Sequence, residues 1–278
     1  MRAAVLGSPV AHSLSPVLHR AAYAALGIAG EWSYGLHECG EDGLEPFLRS
    51  CGPEWAGLSL TMPLKKAALE AADRSDEASR QVGAANTLVL SGGGRTAHNT
   101  DVHGIAAALS EAGAGAPRTA AVLGGGATAA SAVAALHRLG AASVTVLARD
   151  PARARGVLEA AGRTGIAAEA APLAELERHL EVDLVASTLP SGAADAWADR
   201  VAQSGAAVFD VVYSPWPTAL ARAAAAAGRT VVGGFPMLLH QAAAQVELMT
   251  GAGPAPVEAM RAAGEAELAR RAAPAAGE

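Results

Sequence analysis

The stretch Leu58-Ser59-Leu60-Thr61-Met62-Pro63-Leu64-Lys65-Lys66 contains the only two lysines of the chain; every other basic side chain is arginine. Arginine stays protonated at any working pH, whereas a desolvated lysine gives up and recovers a proton. An apolar run ends in Thr61, and Pro63 stands where a helix begins. Lys65 therefore falls in the first helical turn, where the positive end of the helix dipole favours the neutral amine. That makes Lys65 a candidate for acid–base chemistry, with Lys66 as a surface neighbour. Asp101, in Asn99-Thr100-Asp101 ahead of a helical pattern, is either a helix N-cap or a carboxylate that works with Lys65. His98 and His103 flank it without metal-ligand spacing, so no metal is expected.

Two further groups carry binding chemistry. Ser13 and Ser15 precede a helical run, with Ser15 expected as N-cap and Pro16 as the first helical residue. Hydroxyls beside free helix N–H groups suit a small anion such as a carboxylate. Farther on, the buried strand Ala120–Leu123 leads into Gly124-Gly125-Gly126-Ala127-Thr128-Ala129, a G-x-G-x-x-A turn that opens a helix. The pattern brings a pyrophosphate close to a helix N-terminus. The next strand, 143–147, ends in Ala148-Arg149-Asp150, where a dinucleotide's adenosine ribose is read. Arg149, with Arg153 after it, suits a 2′-phosphate and hence NADP; Asp150 suits a free 2′-hydroxyl and keeps NAD open.

These residues need a frame of alternating strands and helices. Strands are expected near 2–6, 32–37, 55–61, 120–123, 143–147, 183–187, 207–212 and 230–232. A hairpin is expected over 88–98 around Ser91-Gly92-Gly93-Gly94. Helices are expected at 16–26, 43–50, 76–82, 172–180, 193–203, 237–250 and 254–271, besides those after Asp101 and Ala127. Tyr213 follows a strand, at the end where open α/β sheets bind ligands. Gln241 lies one turn beyond Met237. The fold class expected is α/β with two domains, the second a Rossmann-type dinucleotide-binding domain on a parallel sheet.

The totals narrow the partners. Net charge is −6, without a Lys/Arg run, which argues against nucleic acid. The apolar stretches are too short and too broken by Ala and Gly to span a membrane, and no signal peptide is read. Cys39 and Cys51 read as free thiols, consistent with a cytoplasmic protein. No G-x-S-x-G elbow is present, so a serine hydrolase is excluded.

Taken in order, the motifs resemble those of the shikimate dehydrogenase family, whose members reduce 3-dehydroshikimate with NADPH. G-x-P-x-x-H-S-x-S-P-x-x-H is met by Gly7, Pro9, His12, Ser13, Ser15, Pro16 and His19. N-V-T-x-P-x-K is met at Thr61, Pro63 and Lys65, G-A-x-N-T from Gly83 to Thr87, and N-T-D-x-x-G from Asn99 to Gly104. D-x-x-Y-x-P is met at Asp210, Tyr213 and Pro215, and M-L-x-x-Q-A-A from Met237 to Ala243. The resemblance implies substrate binding by Ser13, Ser15, Thr61, Asn86, Asp101, Tyr213 and Gln241, with Lys65 and Asp101 catalytic. It implies cofactor binding by Gly124, Gly125, Gly126, Ala127, Thr128, Arg149, Arg153 and Gly234. Residues 1–100 with 234–278 are then a substrate-binding domain and 101–233 an NADP-binding domain. The partner is a small molecule, and the enzyme a monomer or homodimer.

The chain departs from the family pattern at four places. Ser59 and Arg20 stand where Asn is usual, both expected outside the chemistry. Ala148-Arg149-Asp150 replaces N-R-T, and Pro236 replaces a Gly near the nicotinamide. Alternatives are an NAD-dependent quinate/shikimate dehydrogenase, an aminoshikimate-type relative, and a non-catalytic regulator on the same fold. Ser15 rather than Thr favours shikimate, and the presence of both Lys65 and Asp101 argues against the regulator.

Overall fold

The computed structural model describes residues 1–273. In chain order the elements are β1 (Arg2–Gly7), α1 (Ser15–Ala25), β2 (Ser33–Glu38), α2 (Glu41–Ser50), β3 (Trp55–Leu60), α3 (Lys65–Glu70), β4 (Arg74–Ser75), α4 (Glu77–Val82), β5 (Thr87–Ser91) and β6 (Gly94–His98). There follow α5 (Thr100–Glu111), β7 (Thr119–Leu123), α6 (Ala127–Arg138), β8 (Ser143–Ala148), α7 (Arg155–Thr164), β9 (Ala167–Pro172), β10 (Leu184–Ser187), α8 (Ala198–Ser204), β11 (Ala207–Asp210), α9 (Ala219–Ala226), β12 (Val231–Val232), α10 (Gly234–Thr250) and α11 (Val257–Ala272). Two compact units result. One comprises Met1–Arg80, Ala84–Thr100 and the chain from Leu239; the other comprises Gln81–Gly83 and Asp101–Leu238.

The first unit is built on a mixed sheet in the order β2-β1-β3-β5-β6-β4. β1 runs parallel to β2 and β3, while β5 runs antiparallel to β3 and β6. The central strands are apolar and buried along almost their whole length, as strands covered on both faces must be. Leu58 and Leu60 of β3 are buried, as are Leu64 and Leu88. Each such side chain contributes about 1.5–3 kcal/mol relative to exposure. The hairpin closes through Gly92 and Gly93 at φ +57° and +78°. Two consecutive left-handed residues are what a twisted two-residue hairpin loop requires.

The second unit carries a fully parallel sheet in the order β12-β11-β10-β7-β8-β9. With β7 as first strand this is the doubly wound Rossmann order. In α6 every residue from Ala129 to Leu136 is buried. A helix apolar on all sides is a core helix, and its small alanines let neighbouring backbones approach closely.

Several boundaries differ from the expectations. α10 begins at Gly234 rather than Met237, with Pro236 inside its first turn. First-turn N–H groups have no helical acceptor, so a proline there removes nothing. Residues 173–179 form a 3₁₀ helix, and 193–203 divides into a 3₁₀ turn, Asp195–Trp197, and α8. The edge strand β9 was not expected. Its sequence Ala-Ala-Glu-Ala-Ala-Pro has little β preference, and pairing with β8 imposes the strand. No helix among the described residues is long and apolar enough to cross a membrane.

Candidate active site

In the first unit β1 and β3 are parallel and in register from Ala3↔Gly57 to Leu6↔Leu60, so both chains leave the sheet at one edge. The two exits touch. Ser8 N donates to Met62 O at 2.9 Å and Thr61 N to Leu6 O at 2.9 Å. A Cβ on Gly7 would stand 2.2 Å from the Thr61 methyl and 2.9 Å from Met62 O, so only glycine fits. β5 enters at the same edge, where Leu60 N donates to Asn86 O at 2.7 Å. The backbone of Ala85 donates to Lys65 O at 2.8 Å. Ser13, Ser15, Thr61, Lys65 and Asn86 therefore all belong to loops or element ends at this edge, with Lys65 the first residue of α3 and half-buried.

The expected cap at the start of α1 is corrected. Leu14 already has helical backbone angles and Ser15 is the first helical residue. Ser13 takes the capping role, its Oγ accepting from Ser15 N at 3.2 Å. Ser15 is free of that task and buried, at 5% exposure.

Asn86 is the hub of a polar cluster. Its Oδ1 accepts from the backbone N–H of Thr100 at 2.9 Å, satisfying a donor at the start of α5. Its Nδ2 donates to Thr100 Oγ1 at 2.9 Å and to Gln241 Oε1 at 3.2 Å. The structure thus brings Asn86 and Gln241 together across 155 positions of sequence. Thr100 joins them although no sequence expectation singled it out. Gln245, one turn beyond Gln241 on α10, donates to Thr87 Oγ1 and Asn86 O and accepts from Ser59. Ser59, expected outside the chemistry, lies in this cluster, and Tyr34 donates to it. The i, i+4 spacing of the two glutamines was the available signal. Arg20 stands apart from the cluster; its guanidinium donates to the Tyr34 carbonyl.

In the second unit the glycine turn joins β7 to α6. Gly124 has φ +124°, and a Cβ on it would meet Thr188 Oγ1 at 2.3 Å. A Cβ on Gly125 would meet Arg153 O at 2.7 Å. These two glycines are required by the protein's own packing. Gly126 is different: it is the N-cap of α6, it is exposed, and its Cβ position opens on empty space. No side chain caps α6 at Gly126. An exposed, uncapped helix start with room above it fits a diphosphate, and Ala127 and Thr128 are half-buried in its first turn.

Arg149 and Arg153 are exposed after β8. Asp150 is engaged as a cap, its carboxylate accepting from Ala152 N at 3.0 Å. Asp101 lies inside the first turn of α5 and is 4% exposed. Asp210 accepts from Thr218 Oγ1 at 2.8 Å and from Val212 N at 3.2 Å, fixing the loop that carries half-buried Tyr213. Burial raises the Asp210 pKa, and these two hydrogen bonds offset part of the rise. Gly234 is buried, and a Cβ on it would lie 1.9 Å from Val211 O.

Comparison with known proteins agrees with this layout. A family model described as the shikimate dehydrogenase substrate binding domain matches residues 5–88, and one described as the shikimate 5′-dehydrogenase C-terminal domain matches 234–263. A shikimate dehydrogenase (NADP(+)) from Sinorhizobium fredii is 38% identical over 92% of this chain and 92% of its own. The crystal structure of Mycobacterium tuberculosis shikimate dehydrogenase is 44% identical with TM-score 0.88, covering 95% of this chain and 99% of that one. The Thermus thermophilus enzyme solved with NADP(H) and shikimate is 33% identical with TM-score 0.82, covering 96% and 99%. With motifs, both sheets and near full-length similarity in accord, this chain belongs to the shikimate dehydrogenase family.

Proposed function

We propose that this chain interconverts 3-dehydroshikimate and shikimate with NADP(H), a step of chorismate and aromatic amino-acid biosynthesis, in the cytoplasm. The observation that carries the reading is the set of groups at one sheet edge of the first unit. Two serine hydroxyls, a threonine, an amine and two amides suit a small polyhydroxylated carboxylate. We assign substrate binding to residues 1–100 with 234–278 and cofactor binding to 101–233. The working form is a monomer or homodimer with this small molecule as its partner.

NADPH, when bound, supplies a hydride to the C3 carbonyl carbon. Lys65 gives a proton to the carbonyl oxygen as it gains negative charge, and takes it from the C3 hydroxyl in reverse. Asp101 is assigned as the catalytic carboxylate. Ser13 and Ser15 hold the ring carboxylate and Thr61, Asn86 and Gln241 the ring hydroxyls, and Tyr213 is assigned as a further substrate-binding residue. Gly124, Gly125, Gly126, Ala127 and Thr128 would hold the diphosphate, Arg149 and Arg153 would read the 2′-phosphate, and Gly234 is assigned as a further cofactor-binding residue. The capping bond held by Asp150 supports NADP, because that carboxylate is already occupied.

The test is a matrix of initial rates with shikimate and quinate, each against NADP and NAD. Shikimate with NADP is expected to give the highest kcat/KM, by at least about tenfold. Turnover with none of the four pairs overturns the reading.

A further inference from the structure

The serines assigned to the substrate carboxylate follow an exposed turn. Val10 and Leu14 are buried, while Ala11 and His12 between them are exposed. Val10 is held from β2, its N–H donating to Glu38 Oε2 at 3.2 Å. Local bonds close the turn, Ser13 N donating to Val10 O at 2.9 Å and Ser15 N to Ser13 Oγ at 3.2 Å. A further tether comes from the far end of the chain. Arg271 of α11 donates from Nη1 to the His12 carbonyl at 2.7 Å, across 259 positions of sequence.

Helix packing and one carboxylate orient that guanidinium. α11 packs against α1, and the Arg271 bond shows that its last turn reaches the start of α1. Glu267, one turn earlier on α11, accepts from Arg271 Nε at 2.7 Å and from Arg270 Nε and Nη2 at 2.8 Å each. Arg271 therefore has a carboxylate on its own helix for one donor and a carbonyl on the turn for another. A planar guanidinium carries both donors in fixed directions, so fixing one aims the other. The bonds from Arg271 and Arg270 pull the Glu267 pKa from 4.5 down to about 2, which keeps this carboxylate charged throughout the working range.

We propose that Arg271, oriented by Glu267, is a positioning residue for the substrate carboxylate: it fastens the His12 carbonyl to α11 and so holds the turn that presents Ser13 and Ser15. The inference rests on the proposed substrate reading and sharpens it. The carbonyl that Arg271 takes belongs to the peptide joining His12 to Ser13, and a peptide unit moves as one plane. That plane is held at both ends, its C=O by Arg271 and its N–H by Val10 O. Ser13 Oγ is then fixed in turn by the Ser15 N–H. Without Arg271 the plane keeps one anchor and can tilt about it, carrying Ser13 with it. A rival account makes Arg271 only a positive charge that attracts an anionic substrate, and the two accounts differ in sign at Glu267.

The test compares Arg271→Ala and Glu267→Gln with wild type, each first shown to be folded by thermal melting. Arg271→Ala should raise the KM for shikimate roughly three- to tenfold, about the worth of one hydrogen bond. The kcat should stay within about twofold and the KM for NADP should not move, the pattern of lost ground-state binding. Glu267→Gln keeps the Arg271 charge but loosens its aim, and should raise the same KM by roughly two- to fivefold. A purely electrostatic role predicts the reverse, since removing a neighbouring negative charge would lower the KM for an anion. Amide hydrogen exchange over residues 9–15, measured without ligand, should quicken about threefold or more in Arg271→Ala. An unchanged shikimate KM in folded Arg271→Ala, a lowered KM in Glu267→Gln, or unaltered exchange over residues 9–15 overturns the proposal. Absence of shikimate turnover in wild type overturns the substrate reading instead, and the exchange rates still decide whether Arg271 holds the turn.

Discussion

Acid should loosen the first unit through one histidine. His19 is fully buried on α1, its ring stacked on Tyr34 at 3.9 Å and edge-on to Tyr23 at 6.2 Å. Nδ1 lies 2.9 Å from the Ser15 carbonyl oxygen, so Nδ1 carries the proton and Nε2 the lone pair. Nε2 is buried and has no hydrogen-bond partner among the described residues. A second proton there would be a buried charge without an acceptor. Burial accordingly lowers the His19 pKa from 6.5 to about 4, the Ser15 bond offsetting part of the effect. Neither tyrosine compensates, since burial raises both of their pKa values.

The unfolded chain takes up this proton near pH 6.5, and the folded one refuses it until about pH 4. The contribution is therefore complete above pH 6.5 and is lost as the pH falls between those two values. At about 1.4 kcal/mol per tenfold in proton affinity, the full loss is about 3 kcal/mol, with about 2 kcal/mol gone by pH 5. The assay is urea unfolding of wild type and His19→Phe at pH 7.5 and pH 5. Trp197 and Trp216 are first replaced by Phe, so that fluorescence comes from Trp32 and Trp55 of the first unit. Other titrating groups cancel in the double difference. Between the two pH values wild type should lose about 2 kcal/mol more than the variant. Equal losses in the two proteins would refute the argument.

Lys65→Met should lower kcat by roughly 10²–10⁴-fold while NADP still binds, measured by steady-state rates beside a fluorescence titration of the cofactor; near-normal turnover contradicts its proton-transfer role. Arg149→Ala should raise the KM for NADP at least about tenfold and leave that for NAD unchanged, since only the former loses a charge-assisted hydrogen bond. Gly234→Ala must place a methyl 1.9 Å from Val211 O. Backbone cannot yield cheaply there, so calorimetry should show a loss of about 3 kcal/mol or more in the second unit, and an unchanged melting profile contradicts the packing.

Most of what the sequence made legible is local. The glycine turn after 120–123 announces a βαβ unit because a buried strand, a turn needing positive φ at Gly124 and an alanine helix follow within twenty residues. The Gly92-Gly93 hairpin is legible for the same reason. β9 was not, because an alanine-rich edge strand takes its conformation from its neighbour. The start of α10 was misplaced because Pro236 reads as a breaker, and only the backbone shows that it falls in the one turn where proline is harmless.

The candidate site divides along the same line. Ser13, Thr61, Lys65, Asn86 and Gln241 stand out by type at strand and helix ends. Ser59, Gln245 and Tyr34 do not, since a buried serine in β3 looks like any strand residue and Gln245 like any helix residue. What brings them into the cluster is hydrogen bonds that span 186 positions from Ser59 to Gln245 and 25 from Tyr34 to Ser59. Such bonds cannot be read from periodicity, but they obey a constraint that periodicity does not. A buried amide has one donor end and one acceptor end, and burial makes either costly to leave unmatched.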